Sequence, residues 1–383
     1  MADKVLSKRA IKKQNNNGGK VDVVFLSLVL ILLTIGLIML FSASYAYSLE
    51  RYGNSYRFIS RQALLGGVGL VIMFLVSRID YHYFRKWAWV IFAVTIAVLI
   101  FLLAMPPMLE GMDVKRWLVI GPINFQPSEI AKFAIILLFS HLIAVNYKLM
   151  GTFKFVVFLI GILAVVCVLV VMEPHLSATL LIFTIGVVLM IIGGLRLPYI
   201  LGGLGIGVGG ALIAIFTGII SYGSDRIQYW LDPWADASGK GYQTIQSLLA
   251  IGSGGLMGRG LGNSRQKFLW VPEPHNDFIF SIVCEEIGLI GAVIIILLFC
   301  ALVWRGFTIA MKAPDKFGSL MAVGLTFQVG LQAILNILVV TNTVPNTGIS
   351  LPFFSYGGTA LIILLAQMGI VLSISRQAKV EKL

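Results

Sequence analysis

Charged residues are scarce in this chain. Asp, Glu, Lys and Arg make up only 12% of its 383 residues, whereas a soluble domain carries about 25%. A chain of this length could hold two or three soluble domains. However, every part of the sequence large enough for one is interrupted by long apolar runs, so a water-soluble enzyme is excluded.

Cysteine is also rare, and acidic residues are outnumbered by basic ones. The three cysteines, Cys167, Cys284 and Cys300, fall in apolar runs and give neither a disulfide framework nor a zinc-site spacing. The formal net charge is +12, but the basic residues are scattered over short loops. No nucleic-acid partner is therefore expected.

Apolar sequence is what the chain has in excess. Hydrophobic residues make up 58% of it, and runs of roughly 20 apolar residues recur from Val23 to Ser373. This pattern predicts an all-α polytopic membrane protein with about ten transmembrane helices. The predicted spans are 23–44, 60–77, 87–104, 128–145, 153–172, 176–194, 198–220, 277–304, 317–340 and 355–374.

The distribution of Lys and Arg predicts the orientation of these spans. With both termini cytoplasmic, the inner segments hold most of the basic residues and few of the acids, which is the positive-inside pattern. Residues 1–20 are predicted to be a disordered basic cytoplasmic tail, and residues 377–383 a second cytoplasmic tail. The single transmembrane domain, 21–376, includes a large ordered extracytoplasmic loop at 221–276 between spans 7 and 8.

An acid stands where the eighth span begins, in WVPEPHNDFIFSIVCEEIGLIG (270–291). An ionised group is costly in hydrocarbon, so Asp277 is a functional candidate. Asn276 is a reasonable N-cap, and the dipole of the helix would favour an ionised Asp277 in its first turn. Such a carboxylate suits a general base. The alternative is an acid with only a structural role at the helix start.

A second polar group lies in KRWLVIGPINFQPSEIAKF (115–133). Arg116 stands beside Trp117 on the outer side, and Glu129 and Lys132 form an i,i+3 pair at the outer end of the fourth span. This pair indicates either a polar cavity or an internal salt bridge. Together with Glu273, Arg265 and Lys267, these groups would suit a substrate with anionic phosphates and sugar hydroxyls at the outer leaflet.

Two glycine-rich segments complete the outer side. Residues 252–262 hold six glycines, which predict either a phosphate cradle or a tight structural turn. A P-loop is excluded because no Gly-Lys-Ser/Thr follows. Residues 342–360 contain prolines and glycines that break a helix, together with the hydroxyls of Ser355 and Tyr356. This segment is predicted to fold into the helical bundle.

Several motifs in order carry a family resemblance. They are FSAS (41–44), QPSEIAKF (126–133), GYQTIQSLLAIGSGGLMGRGLGNSRQKF (241–268), PEPHNDFIFSIVCEEIGLIG (272–291) and GISLPFFSYGGTA (348–360). Over residues 22–376 the chain resembles the SEDS family (shape, elongation, division and sporulation), and it is more similar to the FtsW and SpoVE branch than to RodA.

The resemblance implies a peptidoglycan glycosyltransferase that polymerises lipid II at the outer face of the bacterial cytoplasmic membrane, for division or sporulation. Asp277 matches the essential acid of the family, which is thought to deprotonate the acceptor 4-hydroxyl in an inverting reaction. Arg116, Lys132 and Lys267 are candidates for stabilising the leaving pyrophosphate. A divalent cation, Mg²⁺ or Mn²⁺, could do the same with Asp277 as a ligand; no organic cofactor is expected.

The residues expected to bind substrate share these motifs and the outer side. They are Arg116, Glu129, Lys132, Gln246, Arg265, Lys267, Glu273, His275 and Ser355. The expected partners are lipid II, a class B penicillin-binding protein transpeptidase and other divisome or elongation membrane proteins.

The chain departs from the family in EPHLSAT (173–179), where relatives commonly read QPDLGT. This removes an acid at His175, so no catalytic role is expected there. Two other functions stay open from the sequence. A lipid II flippase or transporter would also use charges within the membrane, and a non-catalytic scaffold for a transpeptidase would not need Asp277.

Overall fold

The computed structural model describes residues 19–105, 116–120, 123–196, 198–199, 202, 227–268 and 270–378. Within these ranges the regular secondary structure is helical apart from one small hairpin. The helices are α1 (Val23–Tyr52), α2 (Arg57–Arg78), α3 (His82–Lys86), α4 (Ala88–Ala104), α5 (Pro127–Val145), α6 (Phe153–Met172), α7 (Leu176–Ile192), α8 (Tyr242–Gly254), α9 (Ile279–Met311), α10 (Lys316–Val340) and α11 (Gly358–Gln377). Antiparallel strands β1 (Leu118–Ile120) and β2 (Ile123–Phe125) form the hairpin, with Leu118 opposite Phe125.

The prediction of a polytopic helical membrane protein is confirmed. Seven of the described helices are long and apolar enough to cross a membrane: α1, α2, α5, α6, α9, α10 and α11. The shorter apolar helices α4 and α7 coincide with two more predicted spans. The predicted span 198–220 and the two predicted tails lie almost entirely outside the described residues. The total number of spans and their orientation therefore stay predictions.

The centre of the bundle is formed by α5 and α10. In each of these helices, 67% of the apolar 18-residue stretch is buried inside the protein. On α5 the run from Ile135 to Phe139 is completely buried. The outer helices instead leave many apolar side chains exposed, because their outward faces meet lipid rather than protein.

One end of the bundle is closed by polar contacts between helix ends. Asp22 accepts a hydrogen bond from the backbone N–H of Phe25 at the start of α1 and forms a salt bridge of 2.8 Å with Arg305 of α9. The Tyr81 hydroxyl donates to Asp315 at 2.5 Å. Asp22, Arg305, Tyr81 and Asp315 lie in segments that the sequence predicts on one side of the membrane, and the structure brings them to one end of the bundle; the side that this end faces stays a prediction.

Helix α9 is interrupted at Gly288, whose φ and ψ are 69° and −173°. Residues 255–260, from the glycine-rich segment, fill the break. The backbone N–H of Arg259 donates to the Glu285 carbonyl at 3.0 Å, and that of Leu289 donates to the Gly255 carbonyl at 2.9 Å. A Cβ on Gly258 would lie 2.2 Å from the Glu286 carbonyl oxygen. The structure therefore supports a structural turn for the glycine cluster, since its backbone amides are used within the protein.

Candidate functional site

A polar cavity of about 540 Å³ opens at the end of the bundle opposite the Asp22–Arg305 pair. Its wall is built from the end of α1, the starts of α2, α5, α7 and α11, and the segments before β1 and α9. Six predicted site residues line it: Arg116, Glu129, Lys132, Glu273, His275 and Asp277.

Asp277 lies just outside α9, which corrects the sequence prediction for its position. The helix begins at Ile279 with Phe278 as its N-cap, and Phe278 makes no side-chain capping bond. Asn276, the predicted N-cap, instead donates its amide to Glu273 at 2.8 Å. Asp277 therefore sits in a turn at the cavity wall and not in the first turn of the span.

The turn is held because other elements use its backbone carbonyls. The side-chain amide of Asn336 on α10 donates to the Asp277 carbonyl at 2.7 Å and to the Ile349 carbonyl at 2.6 Å. The Ser355 hydroxyl donates to the Asn276 carbonyl at 2.8 Å. These contacts from distant parts of the chain hold residues 276 and 277 in the turn, and α9 begins two residues after Asp277.

The environment of Asp277 favours its protonated form more than that of an exposed aspartate. Burial raises the pKa of Asp277 to about 6, the Glu273 carboxylate adds to the rise, and the Arg116 guanidinium opposes it. The lowered pKa that a place in the first helical turn would favour is therefore not found for Asp277. The Asp277 side chain still opens partly into the cavity, and a carboxyl with a pKa near neutrality is well placed to accept a proton.

Glu129 and Lys132 form both of the structures that the sequence left open. Their salt bridge measures 2.8 Å, and Lys132 is only 1% exposed. The pair also lies in the wall of the cavity. The ammonium of Lys132 is thus held at the cavity by a carboxylate of its own helix.

Arg116 is held from the turn between α6 and α7, where its guanidinium donates to the Pro174 carbonyl. Beside it lies Glu173, for which the sequence predicts no role. Glu173 is completely buried, and burial raises its pKa to about 8, opposed by Arg116. Arg116 therefore acts on two carboxyl groups, Asp277 and Glu173.

Aromatic rings surround His275. Its ring centroid lies 4.2 Å from that of Phe58 and 5.0 Å from that of Tyr47. Burial lowers the pKa of His275 to about 4. The imidazole is therefore neutral at pH 7 and can offer hydrogen bonds, but not charge, to a ligand in the cavity.

Lys267 and Arg265 are not among the residues that line the cavity. The ammonium of Lys267 donates to Glu286 at 3.0 Å and to the Gly262 carbonyl at 2.6 Å. The backbone N–H of Arg265 donates to Glu285 at 2.9 Å. Both residues bind the glycine-rich segment to α9, so this arrangement does not support their predicted contact with substrate.

Gln246 and Ser355, two more residues predicted to bind substrate, do not line the main cavity either. Gln246 is half-buried on α8 and is not part of the cavity wall. Ser355 lines a neighbouring space of about 40 Å³ behind Glu129. Because the Ser355 hydroxyl accepts from the Leu351 N–H and donates to Asn276, it supports the turn that carries Asp277. The segment 348–357 is folded into the bundle, as predicted.

Sequence reasoning missed several residues of the site. Asn336 and Gln332 lie inside the predicted span 317–340, whose high average hydropathy masks single polar residues. The spacing of Gln328, Gln332 and Asn336, four positions apart, puts all three on one face of the helix and could have indicated a polar face. Arg51 and Arg61 also line the cavity. Arg51 lies at the end of α1 and Arg61 near the start of α2, and basic residues are unremarkable at the ends of spans.

The residues present fit a divalent cation only in part. Among the described residues, no three His, Cys, Asp or Glu side chains converge to hold a metal. Asp277 and Glu273 nevertheless bring two carboxylates to one cavity. Mg²⁺ is often bound by one or two carboxylates, with substrate phosphates and water completing its shell.

Comparisons with known proteins agree on one family. The family model for FtsW, RodA and SpoVE, described as a cell cycle protein, matches residues 23–380. Stage V sporulation protein E of Bacillus subtilis (strain 168) is 38% identical over 364 residues, covering 94% of this chain and 98% of that protein. A probable peptidoglycan glycosyltransferase FtsW of Geobacter sp. (strain M18) is 36% identical over 361 residues, covering 94% and 97%.

Solved structures share the fold. A chain from a peptidoglycan synthase complex superposes with a TM-score of 0.78 at 27% identity, covering 93% of this chain and 98% of that one. The rod shape determining protein RodA of Thermus thermophilus gives a TM-score of 0.70 at 25% identity, covering 94% and 99%.

Proposed function

The chain belongs to the FtsW, RodA and SpoVE family of cell cycle proteins, and from this membership we propose that it is a peptidoglycan glycosyltransferase. Its reaction is the polymerisation of lipid II into glycan strands at the outer face of the bacterial cytoplasmic membrane. The observation that carries the proposal is the cavity itself. It places a half-buried carboxyl, Asp277, among basic groups at the end of the bundle opposite the predicted cytoplasmic contacts.

In this reaction Asp277 is the general base. Its carboxylate accepts the proton of the acceptor 4-hydroxyl, whose oxygen then attacks the anomeric carbon of the lipid-linked chain. The bond from that carbon to the diphosphate breaks, and the configuration inverts. A pKa of about 6 leaves Asp277 mostly ionised at pH 7 while keeping it basic enough to take the proton.

The basic groups of the wall stabilise the leaving diphosphate. Arg116 and Lys132 are held by protein partners before substrate arrives, so little reorganisation is needed when negative charge develops. Glu129 fixes the ammonium of Lys132. His275, neutral and packed between aromatic rings, is suited to hydrogen bonding with sugar or amide groups.

A divalent cation, Mg²⁺ or Mn²⁺, would be held by Asp277 and Glu273 together with substrate phosphates. It would add positive charge next to the leaving group. The chain's own residues would still position the two substrates and accept the proton.

Two features favour polymerisation over transport. The residues lining the cavity all come from one end of the helices, whereas a transport path needs groups that continue to the other side. At that other end, Asp22 and Arg305 are paired with each other.

The expected partner is a class B penicillin-binding protein that cross-links the strands, with other divisome or elongation membrane proteins.

The test is polymerisation of lipid II by the purified protein, alone and with its cognate transpeptidase. Wild type is expected to make glycan strands, and Asp277→Asn, which keeps the shape but removes the charge, is expected to lose at least about a hundredfold in rate. Equal rates with a folded Asp277→Asn protein would refute the base assignment. If the wild-type protein were inactive under every condition, including added Mg²⁺ or Mn²⁺, the proposed glycosyltransferase activity would be refuted.

A further inference from the structure

Two arginines at the rim of the cavity have no part in the chemistry above. Arg51 stands near the end of α1 and Arg61 in the second turn of α2, and both line the cavity. Arg51 donates to the Tyr47 hydroxyl at 3.2 Å, and Arg61 bonds the side chain of Tyr356. These bonds orient the two guanidinium groups beside the cavity.

The rim also lies next to the lipid-facing surface of α2. On this helix Leu64 and Val71 are 69% and 59% exposed, whereas Phe58, Arg61 and Leu65 line the cavity. One side of α2 therefore faces lipid, and the adjacent side faces the polar space. A molecule with an isoprenoid tail along α2 would bring its head group to the level of the rim.

The electrostatics at this level favour an anion. Helix α2 begins at Arg57 without a side-chain cap, so the positive end of its dipole adds to the charge of Arg61. Arginine binds phosphate oxygens well because its planar donors can engage two of them at once. The rim thus combines a lipid-facing side, two oriented guanidinium groups and an opening to Asp277.

We infer that Arg51 and Arg61 form a second anion subsite, which holds the diphosphate of a lipid-linked molecule apart from Arg116 and Lys132. The inference rests on the proposed function, in which two lipid-linked diphosphates must occupy one cavity during each transfer. Arg116 and Lys132 lie on the wall beside Asp277 and serve the diphosphate that leaves. The rim serves the diphosphate that stays attached.

The chain offers a matched control for the test. Arg57 stands one helical turn before Arg61 and is exposed, but its guanidinium lies 4.0 Å from the centre of the Tyr52 ring, and Arg57 is not part of the cavity wall. Arg51→Gln with Arg61→Gln removes two charges from the rim, and Arg57→Gln removes a neighbouring charge outside it. Thermal melting in detergent checks that each variant is folded.

Two measurements distinguish this subsite from the proposed function. The first is binding of undecaprenyl diphosphate to the purified protein, which needs no catalysis; the double variant is expected to bind about tenfold more weakly, while Arg57→Gln binds as wild type does. Equal binding by the double variant and wild type, or an equal loss in Arg57→Gln, would overturn the inference even if the enzyme is active.

The second measurement identifies which molecule the rim holds. If it holds incoming lipid II, the double variant shows a KM for lipid II raised about tenfold with little change in kcat. If it holds the growing strand, the KM is unchanged and the glycan products become shorter. Unchanged KM together with unchanged product length would contradict both assignments. A protein that binds undecaprenyl diphosphate through the rim but makes no glycan would refute only the proposed function.

Discussion

At the scale of single residues, the behaviour of Asp277 follows from what surrounds it. Burial of the carboxyl raises its pKa, and the negative charge of Glu273 raises it further. The positive charge of Arg116 offsets part of this rise. Gly348, with a φ of 70°, lies behind the carboxyl; a Cβ there would come within 3.2 Å of Asp277 Oδ2. The position and the proton affinity of Asp277 are thus set by separate neighbours.

The pH dependence of the reaction is expected to report this environment. Because the pKa of Asp277 is raised to about 6, the base is lost as the pH falls through about 6, and kcat/KM should drop about tenfold per pH unit below it. Glu273→Gln removes the neighbouring negative charge and should move this acid limb to lower pH. The measurement is the rate of lipid II polymerisation from pH 4.5 to pH 8. An acid limb that stays in place in Glu273→Gln would contradict the electrostatic coupling.

At the scale of elements, the break in α9 is where the long loop before it joins the helical bundle. Residues 255–260 complete the interrupted hydrogen bonding at Gly288, and the buried Lys267–Glu286 pair fastens the same segment from its other side. A buried pair of this kind is costly to break because the remaining charge has no partner. The glycine-rich segment is therefore a structural clamp between α8 and α9.

Two glycines of this segment provide a controlled test of the clamp. Gly258 and Gly262 have similar φ values, 77° and 80°, but only at Gly258 would a Cβ collide with another backbone; nothing lies within 4 Å at Gly262. Gly262→Ala should cost only about 1 kcal/mol from strain at positive φ. Gly258→Ala should cost at least about 3 kcal/mol or prevent folding, because two main chains must separate. Thermal unfolding in detergent measures both; equal losses would argue against backbone docking.

At the scale of the whole molecule, the polar groups divide between two ends. Helix-end contacts such as Asp22–Arg305 and Tyr81–Asp315 close one end, and the cavity opens at the other. The positive-inside bias assigns the closed end to the cytoplasm. Lipid II would then meet Asp277 from the outer leaflet.

Cysteine labelling tests this orientation. Exposed Ser238 lies on the cavity side of the chain and exposed Lys312 follows α9 at the closed end. In a background without Cys167, Cys284 and Cys300, a membrane-impermeant maleimide is expected to label Ser238→Cys in intact cells. Lys312→Cys should react only after permeabilisation. The reverse pattern would invert the topology and remove the cavity from the outer face.

The composition and periodicity of the sequence determined the membrane class and most helix bounds. Apolar runs long enough to cross a bilayer can satisfy their backbone only as helices. Nine predicted spans reappear as described helices that start within three residues of the predicted position, whereas α1 and α9 end eight and seven residues later than predicted. Motif order was enough to identify the family. The charged pair Glu129–Lys132 could be predicted as well, because i,i+3 neighbours on a helix are a local matter.

Only the tertiary structure decided which polar residues of the predicted outer side share a cavity. Arg116 and Lys132 reach it, while Lys267 is held by Glu286; nothing in the local sequence distinguishes these cations. The late start of α9 depends on Asn336 and Ser355, far away in the chain, which bind the carbonyls of Asp277 and Asn276. A helix start and a bound charge both depend on partners brought in by folding, and periodicity carries no information about those partners.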